Sequence, residues 1–69
     1  MITPTTAAAA DDLKLRLRKL NAQATQAKMD LHDLSEELPT NWENILVVAQ
    51  RCHDAHAALM AARQEAVTP

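Results

Sequence analysis

Apolar residues along this chain recur at spacings of three and four, the period of one helix face, and they do so in two blocks. In the first block Leu13, Leu17, Leu20, Ala24, Ala27, Leu31, Leu34 and Leu38 form an unbroken heptad stripe. The residues between them are good helix formers, so periodicity and propensity agree on a helix over about 11–38. In the second block Ile45, Val48, Cys52, Ala55, Leu59, Ala62 and Ala66 repeat the pattern, predicting a helix over about 42–65. Between the blocks stands Pro39. It lacks an amide proton and pushes Leu38 away from helical angles. Thr40 and Glu43 then have the spacing of a capping box, with Asn41 as a rival cap. A turn of three residues, 39–41, makes the two helices antiparallel neighbours.

Folding the chain at Pro39 sets large residues opposite small ones. Leu34 falls near Val48, Leu31 near Cys52, Ala24 near Leu59, Leu20 near Ala62 and Leu17 near Ala66. Such alternation lets two helices approach closely without voids. Met29, Leu46, Ala49, His56 and Met60 lie beside the stripe and widen it beyond a two-helix seam, which predicts a second hairpin covering them. The expected fold is therefore all-α: an antiparallel two-helix hairpin over 11–66, pairing as a homodimer four-helix bundle. Residues 1–10 are expected to be a flexible tail, because Ala7–Ala10 carry nothing large and apolar to hold them, although Thr6 offers an earlier cap. Residues 67–69 are a second short tail. Asp11 and Asp12 suit the positive end of a helix that starts at 11.

Composition sharpens this picture. The chain has 69 residues, 48% of them hydrophobic, with no Gly, Phe or Tyr and a single Trp. A sheet needs β-branched and aromatic runs and turn glycines, which are missing. One core of this size supplies about 3–5 kcal/mol at most, so a staple is needed. A lone Cys52 excludes an internal disulfide and leaves a second subunit as the staple. No signal peptide or membrane-spanning run is visible, which points to the cytoplasm and away from a membrane partner. The formal net charge is −2, which argues against nucleic-acid binding. Charge is nevertheless polarised. Lys14, Arg16, Arg18 and Lys19 gather at one end, and Asp30, Asp33, Glu36, Glu37 and Glu43 crowd the proline end. That is either an ordinary solvated face or a pattern that orients a partner.

Three features carry candidate chemistry. His32, on the shoulder of the first stripe among Asp30 and Asp33, reads either as a solvated histidine or as a metal ligand oriented by its carboxylates. Cys52, His53 and His56 have i to i+4 and i to i+3 spacings suited to zinc or nickel. Cys52 also falls on the core stripe, where a small buried thiol is the ordinary reading, and a fourth ligand is missing. Trp42, beside the bend, either caps the bundle by packing on Leu38 and Leu46 or serves as a partner anchor with Asp33, Glu36, Glu37 and Glu43 around it. Nothing reads as an enzyme. There is no glycine for a phosphate loop, Ser35 has only His32 one turn before it, and so thin a hairpin has no pocket that excludes water.

The run "QAKMDLHDLSEELPTNWENI…VAQRCHDAHAAL" resembles the small Rop-like family of helical proteins encoded in nitrogen-fixation gene clusters. The likeness covers roughly Leu13 to Ala62, and its most specific part is K-x-x-LHDLxExLP. It implies an antiparallel hairpin that pairs as a dimer. It implies a non-enzymatic, nitrogenase-associated factor that binds the molybdenum–iron protein, or its maturing or damaged form, during assembly, repair or protection. It implies no required cofactor, but a divalent metal at His32, and with it the alternative of a metal carrier for nitrogenase cofactor handling. The family pattern has Thr-Tyr where this chain has Cys52-His53, so a Cys/His site is not a family feature. The Rop name describes a shape; an RNA-binding bundle is a third reading that an acidic chain suits poorly.

Overall fold

The computed structural model describes residues 6–67, and side chains over residues 11–66. It is an antiparallel pair of helices, α1 over Thr6–Glu37 and α2 over Ile45–Val67, joined by a tight bend and a 3-10 turn at Trp42–Asn44. The rod measures 58 × 17 × 17 Å. The part of the expected tail at residues 1–5, and residues 68 and 69 of the expected C-terminal tail, lie outside the described residues. Residues 6–10 are helical, not tail. Alanine has the highest helix propensity, and extending a helix already nucleated adds one hydrogen bond for each residue fixed, so no large apolar anchor is required. The earlier start also moves Asp11 and Asp12 past the first turn, which holds no acidic residue. There the helix dipole has little left to offer them.

At the bend the capping box does not form. Thr40 lies within the turn and donates its backbone N–H to the Glu37 carbonyl at 3.0 Å. The Leu38–Pro39 peptide bond is cis. Asn41 enters the 3-10 turn in the left-handed region, φ 62° and ψ 26°, with no side-chain cap bond. Asparagine tolerates this region better than most residues. Its side-chain amide reaches back to Glu37 Oε2 at 3.3 Å. Its carbonyl accepts from Asn44 N–H at 3.0 Å, and Trp42 N–H donates to the Pro39 carbonyl at 3.3 Å. Glu37, not Leu38, is the last residue of α1, as the residue before a proline is kept out of helical angles.

The core is thin. Among the described residues only Ala24, Leu34, Leu59 and Ala62 are buried, and no polar side chain is. Leu13, Leu17, Leu20, Ala27, Leu31, Ile45, Val48, Cys52 and Ala55 are half-buried. Both sequence stripes thus face each other along most of their length. They open at the ends, where Leu38 and Ala66 are exposed. An Arg16–Glu65 ion pair joins the helices near the open end, next to the expected Leu17–Ala66 layer. No helix among the described residues is long and apolar enough to cross a membrane.

Candidate functional site

Two surfaces stand out, one at each end of the rod. The first is the bend. Trp42 is 62% exposed, Leu46 82% and Leu38 40%. Trp42 thus stays largely exposed at the bend of the single hairpin, as do its apolar neighbours in sequence Leu38 and Leu46. Glu36, Glu37 and Glu43 are exposed around it, and Asp33 lies one turn back on α1. Glu36 and Glu37 also occupy the last turn of α1, which carries no basic residue. Carboxylates are unfavourable at the negative end of a helix dipole, each by about 0.3–1 kcal/mol when exposed at low ionic strength. A local choice that opposes stability is a pointer to a surface kept for another purpose.

His32 sits on the flank of this end with both ring nitrogens toward carboxylates. Nε2 is 3.1 Å from Glu36 Oε1, and Nδ1 is 3.7 Å from Asp33 Oδ1. A proton on Nε2, shared with Glu36, leaves a lone pair on Nδ1, the arrangement in which a second carboxylate orients a metal-binding imidazole. One chain then supplies at most that nitrogen and an Asp33 oxygen. Among the described residues no three His, Cys, Asp or Glu side chains converge on a point that holds a metal ion. A divalent ion at His32 thus does not fit one chain as a closed site. Ser35 donates its hydroxyl to the His32 carbonyl at 2.6 Å, the ordinary back-bond of a helical serine.

The histidines of α2 separate. His53 is exposed, with Nδ1 3.4 Å from Asp54 Oδ1. His56 is half-buried, its Nδ1 3.0 Å from the Cys52 carbonyl and 3.8 Å from Cys52 Sγ. A carbonyl accepts only, so Nδ1 is the donor in this contact. Cys52 itself is half-buried and free, as a thiol on the core stripe should be. Leu46, Ala49, His53, His56 and Met60 follow one another at three and four residues, and so share one flank of α2. Leu46 and Met60 on it are exposed and Ala49 is half-buried.

The second surface lies toward the open end. Lys14, Leu17, Arg18, Asn21, Leu59 and Arg63 line an open groove of about 260 Å³. Its floor is apolar and its rim holds three cations. Sequence reasoning had the basic block of α1 but missed Arg63. The signal was available in the register: folding at Pro39 brings residue 63 level with Leu20.

The model of a family described as Rop-like matches residues 8–68. The chain belongs to the Rop-like family. Its match runs past both ends of the Leu13–Ala62 span on which the resemblance was read. A Rop-like relative from Azorhizobium caulinodans, a UPF0437 protein, is 49% identical over 55 residues, 80% of each chain. Another, from Sinorhizobium fredii, UPF0437 protein y4xE, is 47% identical over 55 residues, covering 80% of this chain and 82% of that one. A third, from Frankia alni, carries the description "UPF0437 protein in nifX-nifW intergenic region". It is 57% identical over 44 residues, 64% of this chain and 54% of that one. No solved structure matches.

Proposed function

We propose that this Rop-like protein is a non-enzymatic interaction module of nitrogen fixation. Its partner is the molybdenum–iron protein of nitrogenase, in its maturing or damaged form, during assembly, repair or protection. The observation that carries the association is the Frankia alni relative, whose description sets it between nifX and nifW. The surface follows from the bend: Trp42 at 62% exposure, ringed by Asp33, Glu36, Glu37 and Glu43. Tryptophan is enriched among residues that dominate interface energies, and charge at a rim steers encounter. The open groove supports a binding role over catalysis. Its place of action is the cytoplasm, where the partner works.

The working form in this reading is a homodimer. Leu46, Met60 and Met29, 82%, 57% and 46% exposed, support a second copy seated over them. A second functional reading, divalent-metal carriage from His32, draws on the Glu36 and Asp33 contacts of its ring. It needs further donors, which a second copy or the partner would bring.

Affinity capture from nitrogen-fixing cells, with wild-type chain and Trp42→Ala side by side, tests the first reading. The molybdenum–iron protein should be retained by the former and depleted with the latter. Equal retention by both removes the bend from the interface. Its absence from both removes the partner.

A further inference from the structure

The two histidines of the α2 flank are held alike. Nδ1 of His56 lies 3.0 Å from the Cys52 carbonyl, and Nδ1 of His53 lies 3.4 Å from Asp54 Oδ1. The same Asp54 oxygen accepts from Gln50 Nε2 at 2.8 Å, so the carboxylate is itself steadied. One ring nitrogen against a backbone carbonyl or a carboxylate is the usual setting of a metal-ligating histidine, and it presents the other nitrogen to the ion. Here that other nitrogen is Nε2 in both rings. Neither Nε2 has a hydrogen-bond or ion-pair partner among the described residues. At i and i+3 the two side chains are neighbours, with about 5–6 Å between their Cβ atoms. That spacing lets two side chains of one helix share an ion, as Glu-x-x-His does in metal-binding helix bundles.

One chain supplies only these two ligands. Among the described residues no three His, Cys, Asp or Glu side chains come together around an ion, and zinc in a closed site takes four. The flank shows where the other two come from. Leu46 and Met60 are its exposed large apolar residues, at 82% and 57%, and each stands seven residues from His53. At 1.5 Å per residue they lie about 10.5 Å from it, one on either side. In a two-fold pair every contact is returned. Seating Leu46 of one copy on Met60 of the other therefore puts the axis beside His53, and the His53–His56 pairs of both copies gather there.

We infer that His53 and His56 of two copies hold one zinc-class divalent ion at the middle of the homodimer, through four Nε2 atoms. The inference rests on the homodimer proposed above and adds a site to it. Imidazole suits zinc, nickel and copper, and four imidazoles from two facing helices suit the tetrahedral preference of zinc. The two Asp54 carboxylates behind the His53 rings offset the charge of the ion. The Cys52 thiol, half-buried on the core stripe, takes no part. Neither does His32, which stands on α1 with its ring between Glu36 and Asp33. An ion bound by the pair and not by the single chain stabilises the pair by mass action. Free zinc at about a hundred times the Kd of the site should lower the dimer Kd about a hundredfold.

Two measurements on the full chain test this: calorimetric titration with zinc chloride, and sedimentation equilibrium in excess zinc and in a chelator. Wild type should bind one zinc for every two chains, and its dimer Kd should be lower in zinc than in chelator by about tenfold or more. His53→Ala should abolish zinc binding and the zinc effect together. Because His53 is exposed, its dimer Kd in chelator should stay within about threefold of wild type. His56→Asn keeps a donor for the Cys52 carbonyl but has no Nε2, and should behave in the same way. Circular dichroism reports whether both variants stay helical. His32→Ala should bind zinc as wild type does. A wild-type dimer with the same Kd in zinc and in chelator overturns the site and leaves the homodimer standing. A chain that stays monomeric in both at millimolar concentration overturns the homodimer, and the site with it. Zinc bound at one ion per chain, or lost in His32→Ala, also overturns the site.

Discussion

Ala24 and Leu59 are 2% and 5% exposed, and the fold-back register places them in one layer. Leu59→Ala removes three carbons from a buried site and leaves a cavity, at a cost of about 2–5 kcal/mol. A hairpin of this size holds about 3–5 kcal/mol in all, so the single change should abolish most of the folded population of an unpaired chain. Ala24→Leu forces the same three carbons into a filled layer, at about 1–3 kcal/mol. The double change conserves the volume of the layer and only moves the large residue from α2 to α1. If the two side chains face each other, the double variant should be more stable than Leu59→Ala alone. The coupling should be at least about 1 kcal/mol, within the range found for residues in contact. At about 4–8 °C per kcal/mol for a domain of this length, the recovery is readily seen in melts followed by circular dichroism at one fixed chain concentration. Costs that simply add would mean that Ala24 and Leu59 do not share a layer, and the register would be refuted.

Three further outcomes follow from the local geometry. Asn41 holds φ 62°, so Asn41→Gly should be neutral or slightly stabilising and Asn41→Val should cost more than 1–2 kcal/mol, roughly the left-handed penalty of an ordinary residue, measured by urea denaturation. The Arg16 and Glu65 side chains are 51% and 61% exposed, so Arg16→Ala should cost less than about 1 kcal/mol, and a larger loss in the same denaturation series would show the pair to be more than a surface contact. If His32 handles a divalent ion, His32→Ala should abolish nickel or zinc binding in calorimetry while leaving the melt nearly unchanged. Binding retained at full stoichiometry would point to His53 and His56.

The two helices and their antiparallel order were legible because the stripes from Leu13 to Leu38 and from Ile45 to Ala66 carry a period that only a helix satisfies, and Pro39 can continue neither. The entry to α2 was not. Thr40 and Glu43 have the spacing of a capping box, but spacing does not reveal that Asn41 adopts a left-handed conformation and removes Thr40 from the cap position. The start of α1 was missed for a related reason: burial was weighed for Ala7–Ala10 where propensity alone was sufficient. At the candidate site, His32, Trp42 and the carboxylates were visible by residue type. The conflict of Glu36 and Glu37 with the dipole follows equally from a helix that ends before Pro39 and from the observed end at Glu37, but residue type alone does not show it. The groove was least legible, since Arg63 lies more than 40 residues from Arg18 and meets it only through the register.

The most direct test of the functional account is the kinetics of the wild-type chain and Trp42→Ala on immobilised molybdenum–iron protein, taken in resting, turnover-altered and cofactor-deficient forms at low and physiological salt. The account predicts that wild type binds at least one of these forms. Trp42→Ala should dissociate tenfold faster or more, as expected for an anchor worth about 2 kcal/mol. Glu36→Lys with Glu37→Lys should chiefly slow association at low salt. Unaltered kinetics in both variants would take the bend out of the interface, and no affinity of the wild-type chain for any form of the protein would contradict the account itself.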